Sequence, residues 1–306
     1  DGGGKVHGKV GFGVQDEEEP ILEYDGKEKA LVLEDTKVGS LATLVNIVKN
    51  GLTTGVLSMP YGMNEAGVLG AALCLVVLTI MQYVGGIQIV KCIRYVRGDT
   101  FKKSCSLWTA IGLQAYGLAG EGVVLGSLIV TLVGVIAAQL ILTAETLENM
   151  VPAVGFRLWV LIVGFPVLAL SLPDDLRAVA IMSSAGIVVV LGAYIYIFYF
   201  GFITFEVNIE DGDMLFNKQL ASFVGIAAFS DGVGIVLPPF YQRMSKPHHV
   251  RSVLLSSQLI LSSLYFILGY IGFMLFDSDS SGIPSNILLV LPLETFDSYI
   301  VQSALV

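Results

Sequence analysis

Two apolar stretches of this chain carry residues that weaken helices, and both interruptions hold polar groups. The first reads Lys49-Asn50-Gly51-Leu52-Thr53-Thr54-Gly55-Val56-Leu57-Ser58-Met59-Pro60-Tyr61-Gly62. The second reads Phe229-Ser230-Asp231-Gly232-Val233-Gly234-Ile235-Val236-Leu237-Pro238-Pro239. Glycine has the largest backbone entropy to lose in a helix, and proline removes an N–H donor. Where such a stretch unwinds, N–H groups are freed at the start of one half-helix, whose positive dipole end suits a carboxylate. Carbonyls freed at the end of the other half suit an ammonium. The chemistry on offer is therefore non-covalent: bare main chain gripping a small zwitterion. Candidate contacts are Thr53, Thr54, Gly55 and Val56 in the first stretch and Phe229, Ser230 and Gly232 in the second.

Two ionisable residues sit at the same places. A charge at membrane depth costs roughly 2.5–3.5 kcal/mol on insertion scales, which makes Lys49 and Asp231 functional candidates. Each has a plainer reading. Lys49 fits a lysine snorkelling to the interface, and Asp231 fits the N-cap of a half-helix. Asp231 is also the candidate carrier of a coupling proton.

These residues need a bundle of membrane helices to position them. Of 306 residues, 54% are apolar and 14% charged, and the mean hydropathy is +0.76. A soluble domain carries roughly 25% charged residues, so this surface suits lipid rather than water. The net charge of −9 comes largely from the first forty residues, with Asp16-Glu17-Glu18-Glu19, Glu23, Asp25, Glu28, Glu34 and Asp35. Residues 1–38 are expected to be a flexible acidic cytosolic tail and 39–306 a transmembrane domain. Nothing in that balance points to nucleic acid as a partner. Cys74, Cys92 and Cys105 lack metal-ligand spacing, and no cofactor or metal is expected.

A helix needs about 20 apolar residues to cross a bilayer. Seven such segments run roughly over 41–60, 67–90, 121–144, 156–172, 178–205, 219–240 and 252–276, and an eighth begins near Tyr299. Residues 104–116 alternate small, polar and aromatic types and predict an interfacial amphipathic helix. Lys91, Arg94, Arg97, Lys102 and Lys103 follow the second segment, Arg177 the fourth, and Arg243, Lys246 and Arg251 the sixth. The other loops are acidic. The positive-inside rule therefore puts every second loop and the N-terminal tail in the cytosol. A seven-helix receptor with an outside N-terminus would need the opposite pattern.

The broken stretches are segments one and six, which correspond if five helices form one repeat. Matched interruptions in two halves point to a transporter's central site. Glycines alone say less. Gly51/Gly55 and Gly122/Gly126 are both small-xxx-small pairs of the kind that lets helices pack closely, and for Gly122/Gly126 that is the preferred reading. On the third segment Gln139 and Thr143 share a face, and Gln139 is a candidate substrate contact; Glu145 and Glu148 are expected to cap the helix end. His248-His249 reads as a solvated loop pair.

At the broken segments the chain resembles the amino acid/auxin permease family. Thr53 to Tyr61, followed by Ala66-Gly67, resembles that family's first-helix pattern, small-(Ser/Thr)-Gly-x-Leu-x-x-Pro-Tyr. Phe229 to Pro238 resembles its sixth-helix pattern, in which an acidic residue precedes Gly and Leu-Pro follows. Tyr116-Gly117 to Gly122, Leu172-Pro173 and Gly269-Tyr270-Ile271-Gly272-Phe273 keep the same order. Asp231 stands where the pattern usually has Glu, and Thr53 where it often has Gly. The resemblance spans about residues 38–306. It implies an all-α inverted-repeat transporter fold with discontinuous helices 1 and 6, read here as truncated in helix 8.

The resemblance also implies alternating-access transport of amino acids. The position of Lys49 lies beside the wider superfamily's sodium site, where a fixed ammonium would replace the ion and repel it. Val56 offers no side-chain oxygen for sodium. Proton coupling or exchange is thus the expectation, with an amino acid, a proton and the lipid bilayer as partners, in the plasma membrane or a vacuolar or endosomal membrane. No H-E-x-x-H, G-x-S-x-G or P-loop pattern occurs, so the chain does not read as an enzyme. The rival is a channel or receptor-like membrane protein without a transport cycle.

Overall fold

A computed structural model of the chain describes residues 38–52, 54–96, 98–170, 176–204, 219–276 and 283–290. The expected tail before Val38, the eighth segment near Tyr299 and Thr53 lie outside the described residues.

The first segment is divided. Helix α1 spans Ser40–Gly51, a 3-10 turn covers Thr54–Ser58, and α2 spans Met59–Ala66. Leu52 leaves helical geometry at φ −80° and ψ 63°, and its N–H closes the last bond of α1 on Val48 O at 3.0 Å. Pro60 falls in the first turn of α2, where its missing N–H breaks no helical bond. Gly67, at φ 74°, ends α2 and turns the chain into α3 (Val68–Tyr95). Glycine takes that conformation without strain.

Short α4 (Gly98–Lys103) leads to α5 (Leu107–Met150), which bends at Tyr116 and Gly117. Gly117 has φ 65°, and the arm before the bend is the separate amphipathic piece expected from the sequence. A capping box between Ser106 and Thr109 starts it. The arms touch through glycine: a Cβ on Gly112 would lie 2.6 Å from the Gly120 carbonyl oxygen. Next come α6 (Phe156–Leu170) and α7 (Leu176–Thr204).

The sixth segment is divided like the first, into α8 (Leu220–Ser230) and α9 (Val233–Arg243). A 3-10 turn at Pro247–His249 precedes α10 (Val250–Phe276), and another covers Ile287–Val290. Among the described residues, α3, α5, α8 with α9, and α10 with its leading turn are long and apolar enough to cross a membrane. Outward side chains are apolar too: Leu118 is 81% exposed, Val130 74% and Phe165 76%. Water would not tolerate such a face, and lipid does. The protein is an all-α polytopic membrane protein.

Helix α10 lies at the centre, packed on α1, α2, α3 and α7. Helix α1 packs on α9, and α2 packs on α8, so segments one and six cross antiparallel. Their ends are tied as well. Val38 N–H donates to Arg243 O at 2.8 Å, and Ser245 N–H donates to Val38 O at 2.9 Å. The entry to segment one and the exit from segment six therefore share one face of the bundle, the same-side relation that the basic loop after segment six requires.

Candidate functional site

The two breaks meet. A Cβ on Gly55 would lie 2.5 Å from Ser230 Oγ and 3.1 Å from Phe229 Cδ1, so only glycine lets these backbones approach so closely. On the other side of the crossing, a Cβ on Gly232 would be 3.8 Å from Asn50 Nδ2. Gly51 lies equally tight against Leu261 of α10: an added Cβ would be 2.6 Å from its Cδ1.

The sixth segment unwinds at two residues. Asp231, at φ −86° and ψ 67°, ends α8 with its N–H on Ala227 O at 3.0 Å. Gly232 links it to α9 at φ −73° and ψ 14°. Breaking both helices leaves carbonyls at the ends of α1 and α8, and neighbouring side chains meet them. Tyr265 Oη of α10 donates to Gly51 O at 2.7 Å and stands 3.1 Å from Ser230 O. Ser230 O also accepts from Gly232 N–H at 3.1 Å. Gln82 Nε2 of α3 donates to Asp231 O at 3.3 Å.

The Asp231 carboxylate is buried. Gln258 Nε2 donates to its Oδ1 at 3.4 Å, while Gln258 Oε1 is buried without a hydrogen-bond partner. Beside it lies a cavity of about 10 Å³, bordered by Asp231, Gln82, Thr79, Ser262 and Tyr265. It has room for about one water. The hydroxyls of Thr79 and Ser262 are bonded to each other across α3 and α10.

Consecutive prolines in α9 create a second backbone demand. Pro239 has no N–H for Ile235 O, and Trp108 Nε1 of α5 supplies the donor at 3.0 Å. The amphipathic arm of α5 is thereby fixed to the second half of segment six. Arg94 Nε of α3 bonds Tyr241 Oη of α9 at 3.2 Å.

Of the residues expected at the site, Gly55, Val56, Phe229, Ser230, Asp231 and Gly232 lie at the junction, with Val56 wholly buried. Thr54 opens the 3-10 turn. Lys49 is half-buried in the last turn of α1, where the carbonyl end of a helix favours a cation. Gln139 sits half-buried on α5, and the neighbours of the breaks named above do not include it. Glu148 Oε1 accepts Phe156 N–H at 3.0 Å and so caps the start of α6. Gly122 and Gly126 have open space where a Cβ would stand, so no described residue packs against them.

Sequence reasoning passed over the residues around the break: Asn50, Thr79, Gln82, Gln258, Ser262 and Tyr265. A signal was present. Gln258, Ser262, Tyr265, Gly269 and Gly272 recur at three or four residues along one face of an apolar helix. That face looks at α1 and α2: Gly272 packs on the Pro60 ring, and a Cβ on Gly269 would be 3.4 Å from Met59 Cβ.

Two antiparallel discontinuous helices meeting inside an apolar bundle are an arrangement that many secondary-transporter folds share. The chain matches the family of transmembrane amino acid transporter proteins over residues 36–306, and it belongs to that family. It is 22% identical over 292 residues to vacuolar amino acid transporter 3 of Schizosaccharomyces pombe, covering 92% of this chain and 42% of that protein. It is 26% identical to amino acid transporter AVT1I of Arabidopsis thaliana, over 80% of this chain and 60% of that one. Vacuolar amino acid transporter 3 of Saccharomyces cerevisiae is 24% identical, over 87% and 39%. The chain thus spans about half the length of these relatives.

Proposed function

We infer that the protein is a secondary transporter of amino acids and that the paired breaks hold its substrate. The observation carrying this reading is the contact of Gly55 with Ser230 and Phe229, which brings four half-helix ends together in apolar surroundings. The substrate's carboxylate is bound by N–H groups at the starts of the Thr54–Ser58 turn and of α9. Its ammonium is bound by carbonyls at the ends of α1 and α8. Thr53, Thr54, Gly55, Val56, Phe229, Ser230 and Gly232 line the site, with Gln139 as a further wall contact.

Access alternates as the halves of segments one and six separate on one side and then the other. Lys49 in the last turn of α1 supports a sodium-independent cycle, since a fixed positive charge near that carbonyl end disfavours a second cation there. Asp231 carries the proton in symport, or the protein exchanges one amino acid for another. Two relatives are named vacuolar transporters, which supports a vacuolar or endosomal membrane, with the N-terminus cytosolic.

Uptake of labelled amino acids by the full chain in liposomes, with an imposed proton gradient, tests the reading. Saturable, gradient-driven uptake is expected. Large non-saturating currents would make the protein a channel, and specific binding without flux would make it a receptor.

A further inference from the structure

The carbonyls assigned above to the substrate's ammonium are already taken. Gly51 O ends α1, Ser230 O ends α8, and both face the one hydroxyl of Tyr265 at 2.7 and 3.1 Å. A phenol has a single proton, so it serves one of these carbonyls fully or both in part. Tyr265 is 2% exposed, so bulk solvent does not reach its hydroxyl. Two helix C-terminal ends, each carrying partial negative charge, thus converge on a neutral donor. An ammonium carries three donors and a full positive charge, and it would satisfy both carbonyls at once.

We propose that Tyr265 is an internal stand-in for the substrate's ammonium group, and that an amino acid binds by displacing its hydroxyl from Gly51 O and Ser230 O. This rests on the reading of the breaks as the substrate site and adds how that site is held when empty. The tight contact at Gly55 fits such a closed state, with the ends of α1 and α8 joined through one side chain. The released hydroxyl has polar groups within reach, because Tyr265 borders the small cavity shared with Thr79, Gln82 and Ser262. Tyr265 is in this sense a specificity device. A ligand without an ammonium cannot replace the donor that it removes.

Tyr265→Phe keeps the ring and removes only the competing donor. Binding is measured to the purified full chain with three probes: the proteinogenic amino acids, the matching carboxylic acids lacking the amino group, and the matching primary amines. Affinity for amino acids and amines rises by about fivefold in the variant, the worth of one neutral hydrogen bond, while the carboxylic acids are unchanged. The variant also melts at a lower temperature than wild type when empty and at the same temperature when saturated with amino acid. A purely structural tyrosine would lower both melting points alike. Unchanged or weaker amino acid binding in Tyr265→Phe, or an equal gain for the carboxylic acids, overturns the proposal while leaving the substrate site in place. Wild-type protein that binds no amino acid at all overturns the transport reading, and this proposal with it.

Discussion

Gly55 and Ser230 touch so closely that the hydroxyl of one helix fills the space a side chain would need on the other, with 2.5 Å from an added Cβ to Ser230 Oγ. That hydroxyl is held in place by donation to Ile226 O at 2.8 Å. Gly55→Ala must displace it, and overpacking of this kind costs about 1–3 kcal/mol. If closing this contact is part of the cycle, uptake falls about tenfold, since 1.4 kcal/mol is a factor of ten. Ser230→Ala in the same protein removes the obstructing atom and restores part of the rate. Equal uptake by Gly55→Ala and wild type would show that the contact is not made during transport.

Asp231 gives a prediction on pH. Its carboxylate is buried beside Gln258, Gln82 and Tyr265, so Asp231→Asn removes the proton site while preserving shape. Wild-type uptake into liposomes rises as the outside is made more acidic, and Asp231→Asn flattens that slope. Lys49→Ala lowers the rate at every pH, because the carbonyl end of α1 loses its cation. Unchanged pH dependence in both variants would remove the proton from the mechanism.

The bond from Trp108 to Ile235 O repairs what Pro239 leaves open. Trp108→Phe leaves a part-buried carbonyl without a donor, at a cost of about 1 kcal/mol. The melting temperature falls accordingly. Adding Pro239→Ala returns a main-chain N–H to Ile235 O and raises it again. A double variant no more stable than Trp108→Phe alone would mean that the loss comes from packing of the indole and not from the orphaned carbonyl.

Glycines in this chain differ in what surrounds them, and the difference is measurable. Gly272 packs on the rigid Pro60 ring, so Gly272→Ala costs about 1–3 kcal/mol from overpacking. At Gly85 an added Cβ meets nothing within 4 Å. Gly85→Ala there is neutral or stabilising, since alanine is the better helix former by about 1 kcal/mol. Thermal melts of the two variants should separate in opposite directions from wild type. Equal melts would contradict the packing of α10 on α2.

The breaks were legible because backbone chemistry is local: Gly51, Gly55, Pro60, Gly232 and Pro238 weaken helices whatever surrounds them. The separate piece over 104–116 was legible from its alternation of small, polar and aromatic residues. Tyr265 was not, because a tyrosine in an apolar segment reads as a packing aromatic until its partners are known. Its partners are main-chain carbonyls 35 and 214 residues earlier in the sequence. Only the tertiary crossing of α10 over both breaks brings them together. Gln139 was legible by its polarity on an apolar segment, and it stands as a proposed wall contact on α5.

Crosslinking across the breaks tests the meeting of the two half-helix pairs most directly. Asn50 and Gly232 face each other, with 3.8 Å from an added Cβ on Gly232 to Asn50 Nδ2. Both are replaced by cysteine in a protein whose Cys74, Cys92 and Cys105 are changed to serine, and a short bis-methanethiosulfonate, which links two thiols through disulfides, is applied during uptake. Bridging should arrest uptake, a reductant should restore it, and saturating amino acid should slow the arrest. Uptake indifferent to the reagent, or an arrest whose rate ignores the amino acid, would mean that segments one and six do not hold the substrate between them.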